Sequence, residues 1–171
     1  MVLLLGETHE ELGGSEYLAL IHGRKAGRPP RVDLPQERAL QRLMVEAAAQ
    51  RLLSSAHDCS DGGLAVTLAE CCMTDREHLI GAQVDLSPVT CRVSLRVDSL
   101  LFGESAGRIV ISCDPRHAEA IEQLARRHKL PVARVGHVGG TRLTIAPWID
   151  ESVDMLSEAW RGGLLTALHG Q

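Results

Sequence analysis

The sequence predicts an α/β domain built on a mixed sheet, and three observations lead there. Amphipathic helical patterns alternate with short apolar strand patterns along the chain. One pair of strand patterns is joined by a two-glycine turn, which argues against a purely parallel sheet. The length of 171 residues suits a single domain spanning 1–171, long enough to bury roughly 70% of its unfolded surface.

The elements follow in order. Val2 to Leu5 is an aliphatic run closed by Gly6, the pattern of a buried strand, and it starts with no preceding cap or turn, as in a piece of a longer chain. Ser15 is the expected N-cap of a short helix through Tyr17, Leu18, Leu20 and Ile21, closed by Gly23. Gly27 to Arg31 is a loop. Asp33 and Gln36 have capping-box spacing, and Leu40, Leu43, Met44, Ala47, Ala48, Arg51 and Leu52 recur at helical period behind them. Ser54 to His57 is a short strand, and Ser60 or Asp61 is the expected cap of a helix that ends near Met73.

Gly81 to Leu86 suits another strand. From Pro88 to Leu101 the pattern is divided, because Val89, Val93, Leu95 and Val97 alternate and Leu100 and Leu101 do not. Arg108 to Cys113 is a buried strand followed by a helix from Pro115 to His128. Pro131 opens a strand through Val138, Gly139-Gly140 turns it, and Arg142 to Ala146 is the expected hairpin partner. Val153, Leu156, Ala159 and Trp160 mark a final amphipathic helix.

Composition narrows the function. Aromatic residues are only 2%, so base-stacking platforms are not expected, and a net charge of −4 with scattered basic residues gives no footprint for nucleic acid or anionic lipid. No apolar stretch approaches the ~18 residues of a membrane span. The five cysteines, Cys59, Cys71, Cys72, Cys91 and Cys113, lack CxxC spacing and read as reduced thiols of a cytoplasmic protein.

Three segments are candidates for chemistry. In Ala56-His57-Asp58-Cys59-Ser60-Asp61-Gly62-Gly63-Leu64, polar residues crowd the end of a strand and glycines open a helix. Unpaired amides at such a helix start suit phosphate oxygens, and Asp58 with Asp61 suits Mg²⁺. The plain alternative is that Ser60 or Asp61 caps the helix and the glycines permit close packing. In Leu101-Phe102-Gly103-Glu104-Ser105-Ala106-Gly107-Arg108, Glu104 and Ser105 offer a carboxylate and a hydroxyl on a loop, against the plainer reading that Glu104 pairs with Arg108. Gly6-Glu7-Thr8 through Gly13-Gly14-Ser15-Glu16 is a second glycine-opened helix start, more often a turn than a phosphate site. The chain has no GxxxxGK[ST], GxGxxG, HExxH or GxSxG.

In order along the chain, LLGETHEELGGSEYL, AGRPPRVDL, SAHDCSDGGLAVTLAE, LLFGESAGRIVIS and ARVGHVGG resemble the landmarks of one family. It is the carboxy-terminal domain of the synthetase subunit of phosphoribosylformylglycinamidine synthase, related to aminoimidazole ribonucleotide synthetase and selenophosphate synthetase. The resemblance implies a three-layer α/β/α sandwich with a mixed sheet. It also implies part of a cytoplasmic ATP-dependent ligase that converts formylglycinamide ribonucleotide to the amidine. The partners it implies are the remaining domains of that subunit, a glutaminase and a small accessory subunit, with a homodimer as a further possibility.

The family's catalytic histidine and most of its ATP ligands lie in domains of another type, so the resemblance implies no catalytic residue in this chain. It places Asp58 as a Mg²⁺ ligand, and Gly62, Gly63, Glu104 and Ser105 near ATP or ADP phosphate or substrate. The chain departs from the family's other carboxy-type domain, with His57 in place of a Gln and Ala106 in place of the Gln that closes Glu-Ser-Gln. The competing reading is a structural or oligomerisation module in which these turns serve only as caps.

Overall fold

The computed structural model describes residues 1–75, 77–91 and 95–169, with side chains of the last helix described through Gly163. Among the described residues a seven-stranded sheet runs β2-β4-β1-β5-β3-β6-β7. Its strands are β1 (Val2–Leu5), β2 (Ser55–Asp58), β3 (Ala82–Asp85), β4 (Ile109–Ser112), β5 (Val132–Val138), β6 (Arg142–Ala146) and β7 (Ile149–Ser152). Every neighbouring pair is antiparallel except β3 with β6, so the sheet is mixed as the sequence predicts.

Strand β1 explains why the domain has three layers. Its side chains alternate between faces, and all four are buried. Val2 and Leu4 enter a core with helices α3 (Gly63–Met73), α5 (Val97–Phe102) and α7 (Val153–His169). Leu3 and Leu5 enter a second core with α2 (Leu34–Ala49) and α6 (Ala118–Arg127). The layers are not equally wide. The second core draws on β1, β4 and the start of β5 and on no residue of β3, β6 or β7. The bare half carries the polar Gln83, Asp85 and Thr144 at the positions facing away from the first core.

Local chemistry accounts for the helix ends. Ser15 caps α1 (Glu16–His22) by accepting from the Leu18 amide, and Gly23 closes it in the left-handed region, both as expected. Asp33 caps α2 through the Gln36 amide at 3.0 Å. The helix stops at Ala49 although the apolar period continues to Leu52. Arg51 adopts a left-handed φ of 55°, and the Arg51 and Leu52 amides turn back to the Ala48 and Ala47 carbonyls. This is the Schellman closure, which keeps an apolar residue past the helix packed on it, and Leu52 is accordingly buried. Lys129 and Leu130 close α6 in the same way. Neither site has the glycine that announces such an end in sequence.

Two expectations are corrected, and one divided reading is resolved. β5 and β6 are not hairpin partners, because β3 lies between them. The Gly139-Gly140 turn instead bridges the start of β3, through hydrogen bonds between Gly139 and the Gly81 carbonyl and between Gly81 and the Gly140 carbonyl. That approach needs glycine at 81, where a Cβ would lie 2.3 Å from the Arg142 carbonyl oxygen. The true hairpin is β6 with β7, across Pro147 and Trp148. The helix expected from Pro115 begins as a 3₁₀ turn, Pro115–His117, and becomes α6 only at Ala118. The divided segment after Pro88 resolves into α4 (Ser87–Thr90) and α5, and Val93 lies outside the described residues.

Because Leu3 is fully buried on the interior strand, Leu3→Ala is expected to cost about 2–5 kcal/mol in urea denaturation. Leu20→Ala, at a side chain 78% exposed, is expected to cost under ~0.5 kcal/mol in the same assay.

Candidate functional site

The glycine-opened start of α3 and the loop after α5 do meet, through Glu104. One carboxylate oxygen, Oε1, accepts from the Gly62 amide at 2.9 Å and from the Glu16 amide at 2.9 Å. A single negative charge thus serves the N-terminal ends of α1 and α3, where unpaired amides and the helix dipoles favour it. The expectation of a side-chain cap from Ser60 or Asp61 is corrected: Gly62 is the N-cap, and no side chain of its own turn caps the helix.

Gly62 and Gly63 have left-handed φ of 80° and 70°. A Cβ on Gly63 would lie 2.6 Å from the Gly103 carbonyl oxygen, so this glycine lets the start of α3 close on the loop after α5. Thr67 ties the same junction by donating toward the Gly63 carbonyl at 3.0 Å and the Asp58 carbonyl at 3.2 Å.

The other predicted residues are placed apart from this contact. Asp58 ends β2 with its carboxylate 72% exposed, 3.7 Å from His57 Nδ1. The His57 ring lies between the Asp58 carbonyl, at 2.8 Å, and Glu70, at 3.5 Å. Ser105 is fully buried, and its hydroxyl accepts from the His9 amide at 3.2 Å and donates to the His9 carbonyl at 3.4 Å. It clamps the loop after β1 and is closed to solvent.

Arg108 does not pair with Glu104. Its guanidinium is 1% exposed and donates to the Gly103 carbonyl, to the Ser105 carbonyl at 3.1 Å and to Thr8 Oγ1 at 3.4 Å. Burial pushes its pKa down, opposed by the nearby Cys59 and Glu11. An arginine retains its proton against such a push, so this is a buried cation held by carbonyls. Sequence reasoning missed it, and missed the buried Thr8 and the clamped His9; the one signal was a cation directly before an apolar strand.

Two cavities flank the Gly6–His9 loop. One, of ≈ 460 Å³, is lined by Glu7, Glu10, Glu11, Asp33 and Glu37, with Arg31 and His9 as its basic members, and by Ala106 and Gly107. Its carboxylates outnumber its cations, so it repels a bare phosphate. The other, of ≈ 340 Å³, lies between Thr8, Pro88 and Pro131. The loop carrying Glu104 and Ser105 therefore reaches a cavity through its next two residues. Among the described residues no group of three or more His, Cys, Asp or Glu side chains is arranged to hold a metal.

The cysteines are all free. Burial pushes the thiols of Cys71 to about 12 and of Cys72 to about 11, so neither is a thiolate nucleophile near neutral pH. No described helix is long and apolar enough to cross a membrane.

Residues 1–147 match the family model described as AIR synthase related protein, C-terminal domain. The chain belongs to this family. Among curated relatives, the phosphoribosylformylglycinamidine synthase subunit PurL of Anaeromyxobacter dehalogenans (strain 2CP-C) is 44% identical over 170 residues, covering 98% of this chain and 22% of the relative. The PurL subunit of Thermobifida fusca is 48% identical over 145 residues, covering 85% of this chain and 18% of the relative. The chain thus spans about a fifth of these relatives' length.

Among solved structures, Thermotoga maritima PurL complexed with FGAR superposes with a TM-score of 0.76 at 23% identity, covering 91% of this chain and 27% of that one. The hydrogenase maturation protein HypE in complex with ATP has a TM-score of 0.54 at 17% identity, covering 89% of this chain and 49% of that one. At these identities the likeness is one of fold, and it agrees with the mixed-sheet α/β architecture that this AIR synthase C-terminal-type domain shows.

Replacing Arg108 by Met would leave the Gly103 and Ser105 carbonyls without their donor, at roughly 1–3 kcal/mol for each buried unsatisfied group. Arg108→Met should lower the urea-unfolding free energy by about 2–4 kcal/mol, and a loss below ~1 kcal/mol would refute the role assigned to the guanidinium. Glu104→Ala should cost about 1–2 kcal/mol as a lost cap and should accelerate hydrogen exchange at the Glu16 and Gly62 amides, read by NMR.

Proposed function

We propose that this chain acts as one domain of an ATP-dependent ligase that converts formylglycinamide ribonucleotide to formylglycinamidine ribonucleotide. The observation that carries this reading is 44% identity across 98% of the chain to a protein named as a PurL subunit. Further support comes from fold relatives solved as complexes with FGAR and with ATP. In this reading the domain forms one wall of a nucleotide or phosphate cleft in a cytoplasmic enzyme and supplies no catalytic residue. The remaining domains of the subunit supply the opposite wall. A glutaminase and a small accessory subunit are its further partners, and a structure titled as PurLQS from Thermotoga maritima is among the fold relatives.

Asp58, Gly62, Gly63, Glu104 and Ser105 are the proposed neighbourhood of the phosphates. In this reading their parts are unequal. Asp58 alone presents an exposed carboxylate; with Asp61 nearby in sequence it gives Mg²⁺ the one or two carboxylates that this ion takes beside water and phosphate. The donor set therefore fits Mg²⁺ only in company with a bound phosphate. Bound there, the ion would supply charge neutralisation between the phosphates and the Asp58 carboxylate. The Gly62 amide already serves Glu104, so a phosphate at that amide must displace the carboxylate. Gly63 and Ser105 hold the shape of the wall.

With one wall only, the chain should bind Mg-ADP at millimolar Kd or weaker, about −4 kcal/mol. Titration calorimetry should show this weak heat and its loss in Asp58→Ala. Tight binding that survives Asp58→Ala would overturn the assigned site. Turnover by the isolated chain with ATP, ammonia and the ribonucleotide would show instead a free-standing enzyme.

A further inference from the structure

Helix α3 is apolar nearly all round: from Gly63 to Met73 only Thr67 and Glu70 are distinctly polar. A helix of that composition is ordinarily covered on every side. One side is, because Leu64, Leu68 and Cys72 pack in the core beneath the sheet. On the side turned toward α7, Val66, Ala69 and Met73 are only partly buried and line an open trough of ≈ 540 Å³, with the buried Ala65 also in its lining. Helix α7 contributes Leu156 and Trp160 to its second wall, and α1 contributes Leu20 at its end. Leu20 and Trp160 are 78% and 63% exposed, and α1 buries none of its residues.

The trough has the form of a helix-receiving groove. Ala69 is small and partly exposed, with Val66 and Met73 three and four positions to either side along the same stripe, the spacing at which a second helix seats its own apolar residues. Its charge decides what can enter. Glu16, Asp61 and Glu70 border it, and among the described residues no Lys, Arg or His lines it. Glu70 has His57 at 3.5 Å on its outer side; that histidine does not line the trough. A second copy of this chain would bring the same carboxylates to the same place, so self-pairing is disfavoured.

We propose that this trough is a docking site for an amphipathic helix of another polypeptide segment, one with an aliphatic ridge flanked by lysine or arginine. The trough meets the proposed phosphate neighbourhood at Asp61 and Gly62, whereas Asp58, Gly63, Glu104 and Ser105 do not line it.

Trp160 is a built-in reporter. In a Trp148→Phe background, titration with a ~18-residue helical peptide carrying leucines at helical spacing and lysine flanks should shift Trp160 emission to the blue and saturate. The same peptide with glutamate flanks should bind about tenfold more weakly. Leu20→Ser, at an exposed position, removes the apolar contact without adding charge and should weaken the lysine-flanked peptide by about tenfold or more while leaving the melting temperature and the Mg-ADP heat unchanged. Absence of a saturable shift, or equal affinity for the two peptides, would overturn the proposal. So would sedimentation of the chain alone as a dimer that Leu20→Ser dissolves, which would name a second copy as the occupant.

Discussion

The guanidinium of Arg108 ties two separate pieces of chain together: the loop between α5 and β4, through the Gly103 and Ser105 carbonyls, and the loop after β1, through the Thr8 hydroxyl. A buried cation is tolerated only where acceptors replace its lost water, and here two of the three acceptors are carbonyls of the loop that carries Glu104 and Ser105. The loop from Phe102 to Arg108 is therefore not a free lid. With its carbonyls held from inside, Glu104 is directed outward onto the starts of two helices, and Ser105 inward onto the His9 peptide.

This arrangement changes what the glycine turn before α3 can mean. Taken by itself, Gly62-Gly63 offers bare amides, the usual invitation to a phosphate. In the folded chain the Gly62 amide already has a carboxylate, and Gly63 is in contact with the backbone after α5. An internal carboxylate and an external phosphate compete for the same donor, so the proposed nucleotide role runs through displacement of Glu104 or through the exposed Asp58 at the end of β2. The acidic lining of the cavity next to His9 makes the same demand, because phosphate enters such a place only with a cation.

The layers also differ in what they leave uncovered. On the α2–α6 side the sheet's outer half is bare but polar, and the edge strand β7 carries Asp150 and Glu151, which discourage pairing with another sheet. On the other side the helices themselves are left apolar toward solvent, at α1, α3 and α7. Exposed apolar area concentrated on helices rather than on a strand edge points to side-chain docking, not to sheet extension.

Much was legible in the sequence. β1, the Ser15 and Asp33 caps, the strand before Cys113 and the mixed α/β character follow from local periodicity and capping chemistry, which act over a few residues and leave their mark in order along the chain. The ordered motifs also announced the family, which residues 1–147 match. What only the tertiary structure decided involves partners far apart in sequence. The insertion of β3 between β5 and β6 defeats a glycine-turn hairpin. Schellman ends at Arg51 and Lys129 arise without glycine. The partner of Glu104 is a pair of helix amides 88 and 42 residues away, not the cation four positions on. A turn sequence specifies the donors it offers, but which acceptor reaches them depends on how the sheet brings distant loops together. The sequence by itself therefore determined the elements and the family, and the fold determined which polar groups remained available for chemistry.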